Sequence, residues 1–182
     1  MKSCYLWSFL LIAVVGGFAV KFLSHNSIEA YKDKSPKVDL RTFFNGEVEG
    51  WGGIFDYSGS QINSFSVLLN GTWTSDKKGT LEEWFEFDDG RKTQRKWDLT
   101  FSDDKMFIGQ AADVVGDGLG TQMGNAINMN YTLRIPYKDS TLDVVLDDWI
   151  YGITPDVVLN RGRMKKFGFP VGEIVLVMKK KS

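Results

Sequence analysis

The chain of 182 residues contains one cysteine and one histidine, Cys4 and His25, and both precede every segment that reads as folded. Their absence from the remainder excludes thiol nucleophiles, Ser-His-Asp triads, imidazole metal sites and histidine general bases there. Disulfides are excluded as well, so even in an oxidising compartment the domain must be held by its core. A basic excess is also missing. Five lysines and two acids lie ahead of Val38, which leaves 17 basic and 21 acidic residues from that point on. Nucleic acid demands a basic surface, and none is available. Convincing helical period is absent from every stretch of ten or more residues behind the N-terminal segment.

What is present begins with Met1-Lys2-Ser3 and a nearly unbroken apolar run from Cys4 to Val20, ended by Lys21. Residues 1–23 read as an apolar helix that serves as a signal peptide or an N-terminal membrane anchor. The run lies at the lower limit for crossing a bilayer and above the usual length of a signal core. Gly17-Phe18-Ala19 offers small residues for cleavage after Ala19, whereas Phe22 and Leu23 continue as an anchor would. Lys2 and the α-amino group favour keeping the start inside, which delivers the rest across a membrane. Residues 24–37 turn polar and read as a linker. The remaining residues, 38–182, are enough for one domain with its own core.

In that part strand signals recur at short intervals, near Asn45 to Phe55, Ile62 to Thr74, Thr80 to Asp88, Lys92 to Phe101, Lys105 to Val115, Ala126 to Pro136, Leu142 to Tyr151 and Glu173 to Lys180. Tight connections such as Asp88-Asp89-Gly90 and Ser102-Asp103-Asp104 join several of them as hairpins. About eight sequential antiparallel strands make a meander, and a twisted meander of that size closes so that no edge is left unpaired. The expectation is an all-β fold, an up-and-down antiparallel β-barrel. Alternation places Leu81, Phe85 and Phe87 on one face together with Glu83, and Trp97, Leu99 and Phe101 on one face together with Arg95. An apolar face interrupted by single charges suits a barrel that encloses an amphiphilic ligand. Two segments break the rhythm. Gly116 to Gly124 reads as a glycine-rich loop over a barrel end, and Gly152 to Pro170 as a long connection with a short helix from Pro155.

Certain short segments carry a resemblance. They are Asp89-Gly90 followed by Arg95-Lys96-Trp97, Gly109 to Gly116, Gly124-Asn125-Ala126, Asp147-Asp148-Trp149, Asn160-Arg161 and Lys166-Phe167-Gly168. In this order and spacing, from about Val38 to Met178, the chain is similar to a family of bacterial envelope proteins, often lipoproteins, called domain of unknown function 3833. The resemblance implies a lipocalin-like barrel at the periplasmic face of the envelope, and it brings no established activity. The chain departs from the lipoprotein pattern because its only cysteine precedes the apolar run, which leaves a cleaved soluble form or an N-terminal anchor. Gly50-Trp51 and Gly71-Thr72-Trp73 also resemble the Gly-x-Trp element of lipocalins.

The candidate site is polar residues within this apolar pattern. Asp113 ends an apolar strand and Asp148 lies inside Val144 to Ile150, so at least one carboxylate should point inward. A buried carboxylate needs a cation or several donors, and Arg95 or Arg161 would supply a planar fork for it. The expected ligand-binding residues are Arg95, Trp97, Asp113, Asn125, Asp148, Trp149, Asn160, Arg161 and Lys166. The bland alternative for the charged members is an ion pair that closes the barrel. With no histidine to move a proton, Asp113 and Asp148 are the candidates for catalysis, as general bases with raised pKa. The aspartates do not have the spacing of a calcium loop, and Gly116 to Gly124 lacks the strand and helix that frame a dinucleotide site. No cofactor or metal is expected. The leading expectation is a non-enzymatic envelope protein that binds a lipid, fatty acyl chain or other apolar small molecule, with membrane contact through residues 1–23 if they stay uncleaved. The alternatives are an enzyme acting on such a ligand and a structural assembly factor whose barrel is packed solid.

Overall fold

The computed structural model describes residues 26–137 and 139–181. The apolar run, Cys4, the Ala19 cleavage site and His25 lie outside the described residues. After a single 3-10 turn, Ile28–Tyr31, and one turn of helix, α1 (Leu40–Phe43), everything is strand. The strands are β1 (Gly46–Asp56), β2 (Gln61–Ser75), β3 (Lys78–Phe87), β4 (Lys92–Phe101), β5 (Met106–Gln110), β6 (Gly118–Met123), β7 (Ala126–Tyr137), β8 (Ser140–Thr154), β9 (Val157–Lys166) and β10 (Phe169–Lys180). Each pairs antiparallel with its neighbours in sequence, and β10 closes on β1 through a register that runs from Val48 opposite Lys180 to Asp56 opposite Gly172. The up-and-down barrel is as expected, with ten strands in place of about eight.

The two additional strands are β6 and β9, in the segments read as a glycine-rich loop and a long connection. In β6 the inward positions are Gly118 and Gly120 while Leu119 faces out, so the usual apolar-in pattern is reversed. The reason is lateral crowding inside the barrel. A Cβ on Gly120 would sit 2.1 Å from the Phe107 ring, and one on Gly118 would sit 2.4 Å from the Met129 methyl. Neighbouring side chains fill the space that residues of β6 would otherwise occupy. In β9 the inward positions are Val158, Asn160, Gly162 and Met164, with Arg161 and Arg163 outside. An asparagine and a glycine on the inner face conceal the alternation that marks a strand. The expected helix from Pro155 is instead the turn into β9.

One end of the barrel is closed by the residues before β1. Leu40, Phe43 and Phe44 are buried there in one cluster with Val48, Leu69, Leu99, Phe101 and Phe107. Asp39 caps α1 by accepting from the Thr42 amide at 3.1 Å, as a helix start requires. Gln122 then ties the plug to the wall: its Oε1 accepts from the Leu40 amide at 2.9 Å, and its Nε2 donates to Asp39 at 2.7 Å and to the Asp104 carbonyl at 2.9 Å. Arg41 pairs with Asp39 at 2.7 Å and lies over the Phe101 ring. The plug sits so close to β2 that a Cβ on Gly71 would fall 1.6 Å from the Phe44 carbonyl oxygen, so only glycine fits. Residues 26–37, read from sequence as a linker, lie against the outside of the wall. Tyr31 packs on Trp149 and Tyr151 with ring centroids 5.6 and 5.5 Å apart, and Asn26 donates to the Tyr151 hydroxyl.

Candidate functional site

The inward positions of ten strands do not fill the barrel. A cavity of about 1070 Å³ lies inside it, above the plug residues Leu40 and Phe44, and extends to the end formed by the β1–β2, β3–β4, β7–β8 and β9–β10 turns. That volume is at the upper end of what small-molecule pockets span. Most of the lining is apolar. Phe65, Phe85 and Phe87 form one wall, with Phe65 at 5.7 and 5.6 Å from the other two rings, and Ile135, Leu142, Met164 and Ile174 form the opposite one. At the rim Arg91 lies over Phe87 and Arg134 pairs with Asp143 at 2.7 Å.

Polar side chains enter this apolar space at mid-height, from the middle of β3, β7, β8 and β9 and from β4. Arg95 is held by the Asp113 carboxylate, its Nε donating at 2.9 Å and its second fork nitrogen lying at 2.8 Å. The remaining guanidinium nitrogen is 3.6 Å from Glu83 Oε2. That oxygen is buried and accepts no hydrogen bond from the described residues. Across the barrel Asp148 accepts from the Asn160 amide at 2.5 Å and from the Tyr131 hydroxyl at 3.4 Å. Gly162 makes room for it, since a Cβ there would come 3.0 Å from Asp148 Oδ1. Trp97, buried beside Arg95, meets Tyr131 edge-on with centroids 5.2 Å apart. Two buried carboxylates, Glu83 and Asp148, and the partly exposed Asp113 of the β5–β6 connection thus share one guanidinium.

The electrostatics follow from that imbalance. Burial pushes the Glu83 carboxyl up to about 7, because the Asp148 charge adds to desolvation and the Arg95 guanidinium and Trp97 offset them only in part. Asp148 is also raised, by burial, against the pull of Asn160, Tyr131 and Arg95. Tyr131 is pushed well above its ordinary value, first by burial and then by the Asp148 charge. Burial works against the charge on Arg95, but Glu83 and Asp113 keep it protonated.

Of the residues expected from sequence, the cavity brings together Arg95, Trp97, Asp113, Asp148 and Asn160. The cation for the buried carboxylate is Arg95, and it serves Asp113 and Glu83 directly. Four others lie elsewhere. Arg161 is on the outer face of β9, paired with Glu173, because its parity is opposite to that of Asn160. Trp149, by the same parity argument against Asp148, is outside as well, buried beneath Tyr31 and donating to Asp147 at 2.8 Å. Asn125 lies in the β6–β7 turn at the closed end and donates to the Gly152 carbonyl. Lys166 donates from the rim to the Asp143 carbonyl at 2.6 Å. Among the described residues Trp97 is the one tryptophan in the lining; Trp51 and Trp84 are exposed outside. Two members of the mid-height polar group were not among the expected site, Glu83 and Tyr131. The signal for Glu83 was in the β3 alternation, which placed a lone carboxylate on the apolar face. Tyr131 lacked any such mark, being one more aromatic at an inward position. Among the described residues no group of acidic, His or Cys side chains is placed to hold a metal ion, and no helix is long and apolar enough to cross a membrane.

Known proteins share this architecture at low identity. An S-type phycobiliprotein lyase, CpeS, from Guillardia theta superposes with a TM-score of 0.56 at 10% identity, over 87% of this chain and 99% of the other. Rv2717c from M. tuberculosis gives 0.57 at 15% identity, over 82% of this chain and the whole of the other. A protein of unknown function from the DUF3598 family of Nostoc punctiforme gives 0.57 at 12% identity over 81% of this chain, which spans about half of that protein's length, 51%. At these identities the likeness is one of fold. A comparison with curated proteins finds no match. The sequence matches the family model described as protein of unknown function, DUF3833, over residues 18–180, and the chain belongs to that family.

Proposed function

We propose that this protein is a carrier: a non-enzymatic, lipocalin-like barrel that binds one apolar or amphiphilic small molecule, a lipid or fatty acyl chain in the simplest case. The observation that supports this reading is the cavity itself, a space of about 1070 Å³ lined by Phe, Leu and Ile side chains with one polar group of residues at mid-height. A packed structural barrel would have filled that space, since interiors otherwise reach crystal-like density. An apolar cavity left open to solvent at a rim carries a standing hydrophobic cost that a ligand removes. The fold-level likeness to a phycobiliprotein lyase is in keeping with a small-molecule role.

On this reading the apolar run from Cys4 to Val20 delivers the barrel to the periplasmic face of a bacterial envelope, either as a cleaved signal or as an anchor. Asn26 lies against Tyr151 near the closed end, and the cavity opens at the opposite end.

The test is native mass spectrometry of the protein purified gently from its own host, followed by lipid extraction. A co-purifying small molecule at near-stoichiometric occupancy is the expected result, and a clean apo mass under conditions that preserve the barrel refutes it. Asp113→Asn and Asp148→Asn then separate carrier from enzyme: both variants alter affinity in a carrier, whereas in an enzyme they abolish turnover of the extracted ligand.

A further inference from the structure

The charge inside the cavity says more about its ligand than its apolar walls do. Three carboxylates, Glu83, Asp113 and Asp148, face one guanidinium, Arg95. Asp113 takes that guanidinium through two short contacts and so uses most of its fork. Glu83 is left with a contact of 3.6 Å that is not a hydrogen bond, and its Oε2 is buried with no donor in good hydrogen-bond geometry among the described residues, the Trp97 indole giving it only partial relief. Asp148 is satisfied only by neutral donors, Asn160 and Tyr131. The two arginines at the rim do not redress the balance, because Arg91 pairs with Asp89 and Arg134 with Asp143. Lys166 is directed to a backbone carbonyl.

Such an interior is hostile to an anion. A ligand carboxylate or phosphate at mid-height would meet two buried carboxyl groups already reluctant to ionise, with the one nearby cation engaged, and like charges at low dielectric repel strongly. A group that brings a positive charge and N–H donors does the opposite, giving Glu83 the hydrogen bond it lacks and neutralising the excess. Resting on the carrier reading above, we propose that the ligand is an amphiphile whose polar end is a protonated amine, seated at mid-height between Glu83 and Asp148, with its apolar part against Phe65, Phe85 and Phe87. Entry is then polar end first, since the apolar walls lie between this site and the rim. The raised pKa of Glu83 belongs to the empty site and falls when the amine binds.

The experiment is equilibrium dialysis of the full chain in a nonionic detergent against octylamine, octanol and octanoate at pH 7.5, with protein-free detergent as the blank. The three share one apolar tail and differ only at the polar end. The expected result is octylamine retained at least about tenfold more tightly than octanoate, which corresponds to about 1.4 kcal/mol, with octanol between them. Glu83→Gln and Asp148→Asn are each expected to shrink that preference by at least about threefold, measured against each variant's own octanol retention. If octanoate binds as tightly as octylamine, or if the preference survives both substitutions, the amine proposal fails and the carrier reading stands. If none of the three is retained above the blank, the carrier reading fails and takes this one with it. The ranking in the unmodified protein decides the matter even where a variant does not fold.

Discussion

Glu83→Gln removes a buried charge while keeping the shape of the side chain, and its effect on stability is predicted to depend on pH in one direction. In the unfolded chain the Glu83 carboxyl ionises near 4.5, and in the folded barrel near 7. Between these values the folded state holds a proton that the unfolded state has released, so ionisation of Glu83 erodes stability as pH rises through that window and erodes it no further above. At about 1.4 kcal/mol for each pH unit, the gap between 4.5 and about 7 is worth about 3 kcal/mol. The variant cannot ionise, so its stability relative to the unmodified protein is predicted to improve by about 3 kcal/mol between pH 4.5 and pH 8. For a domain of this size that is a relative gain of roughly 6–12 °C in Tm. Urea unfolding followed by tryptophan fluorescence at several pH values measures it directly. Asp148 is raised in the same sense, whereas surface and capping carboxylates move in the opposite one; Asp39, held low by Arg41, Thr42 and Gln122 despite partial burial, costs stability in acid. They are common to both proteins and cancel in the difference. A difference that stays flat with pH, or one in which the unmodified protein gains on the variant as pH rises, refutes the assignment of Glu83 as a buried, under-compensated charge.

Three further outcomes are expected. Arg95→Met removes the partner of Asp113 and the nearest cation to Glu83, and should cost about 2 kcal/mol at pH 8 but less at pH 5, where Glu83 is protonated; urea midpoints at the two pH values check this. Gly120→Ala drives a methyl into the Phe107 ring and should destabilise by about 1–3 kcal/mol, seen as a lower Tm, whereas an unchanged Tm would mean that β6 does not lie against β5 as described. Phe44→Ala takes a fully buried phenylalanine out of the closed end and should cost about 3–5 kcal/mol in urea unfolding.

The architecture was legible wherever the two faces of a strand differ in polarity. Leu81 to Phe87 and Arg95 to Phe101 announce their strands and their inward faces, and the inward placement of Glu83 and Arg95 follows from period-two geometry alone. Strand β6 was illegible because its inner positions are Gln122 and two glycines made necessary by Phe107 and Met129. Strand β9 was illegible because its inner positions include Asn160 and Gly162, which exist to receive Asp148. In both cases the reason for the residue lies on another strand.

The candidate site divides in the same way. Arg95, Asp113 and Asp148 could be named from sequence because charged residues inside apolar runs are costly and therefore informative. Which of Asp147 and Asp148 points inward, and whether Arg95 or Arg161 provides the cation, depended on the register of β8 against β9, where Asp148 lies opposite Gly162 and Trp149 opposite Arg161. By itself the sequence determined the meander of strands, the faces of the clear ones, the lack of cysteine and histidine chemistry and the charges buried with the core, all of which are properties of neighbours along the chain. Closure alone decided that the barrel has ten strands, that its centre is hollow and that one arginine answers to three carboxylates. Cavity volume and charge balance are sums over strands that meet only when β10 reaches β1.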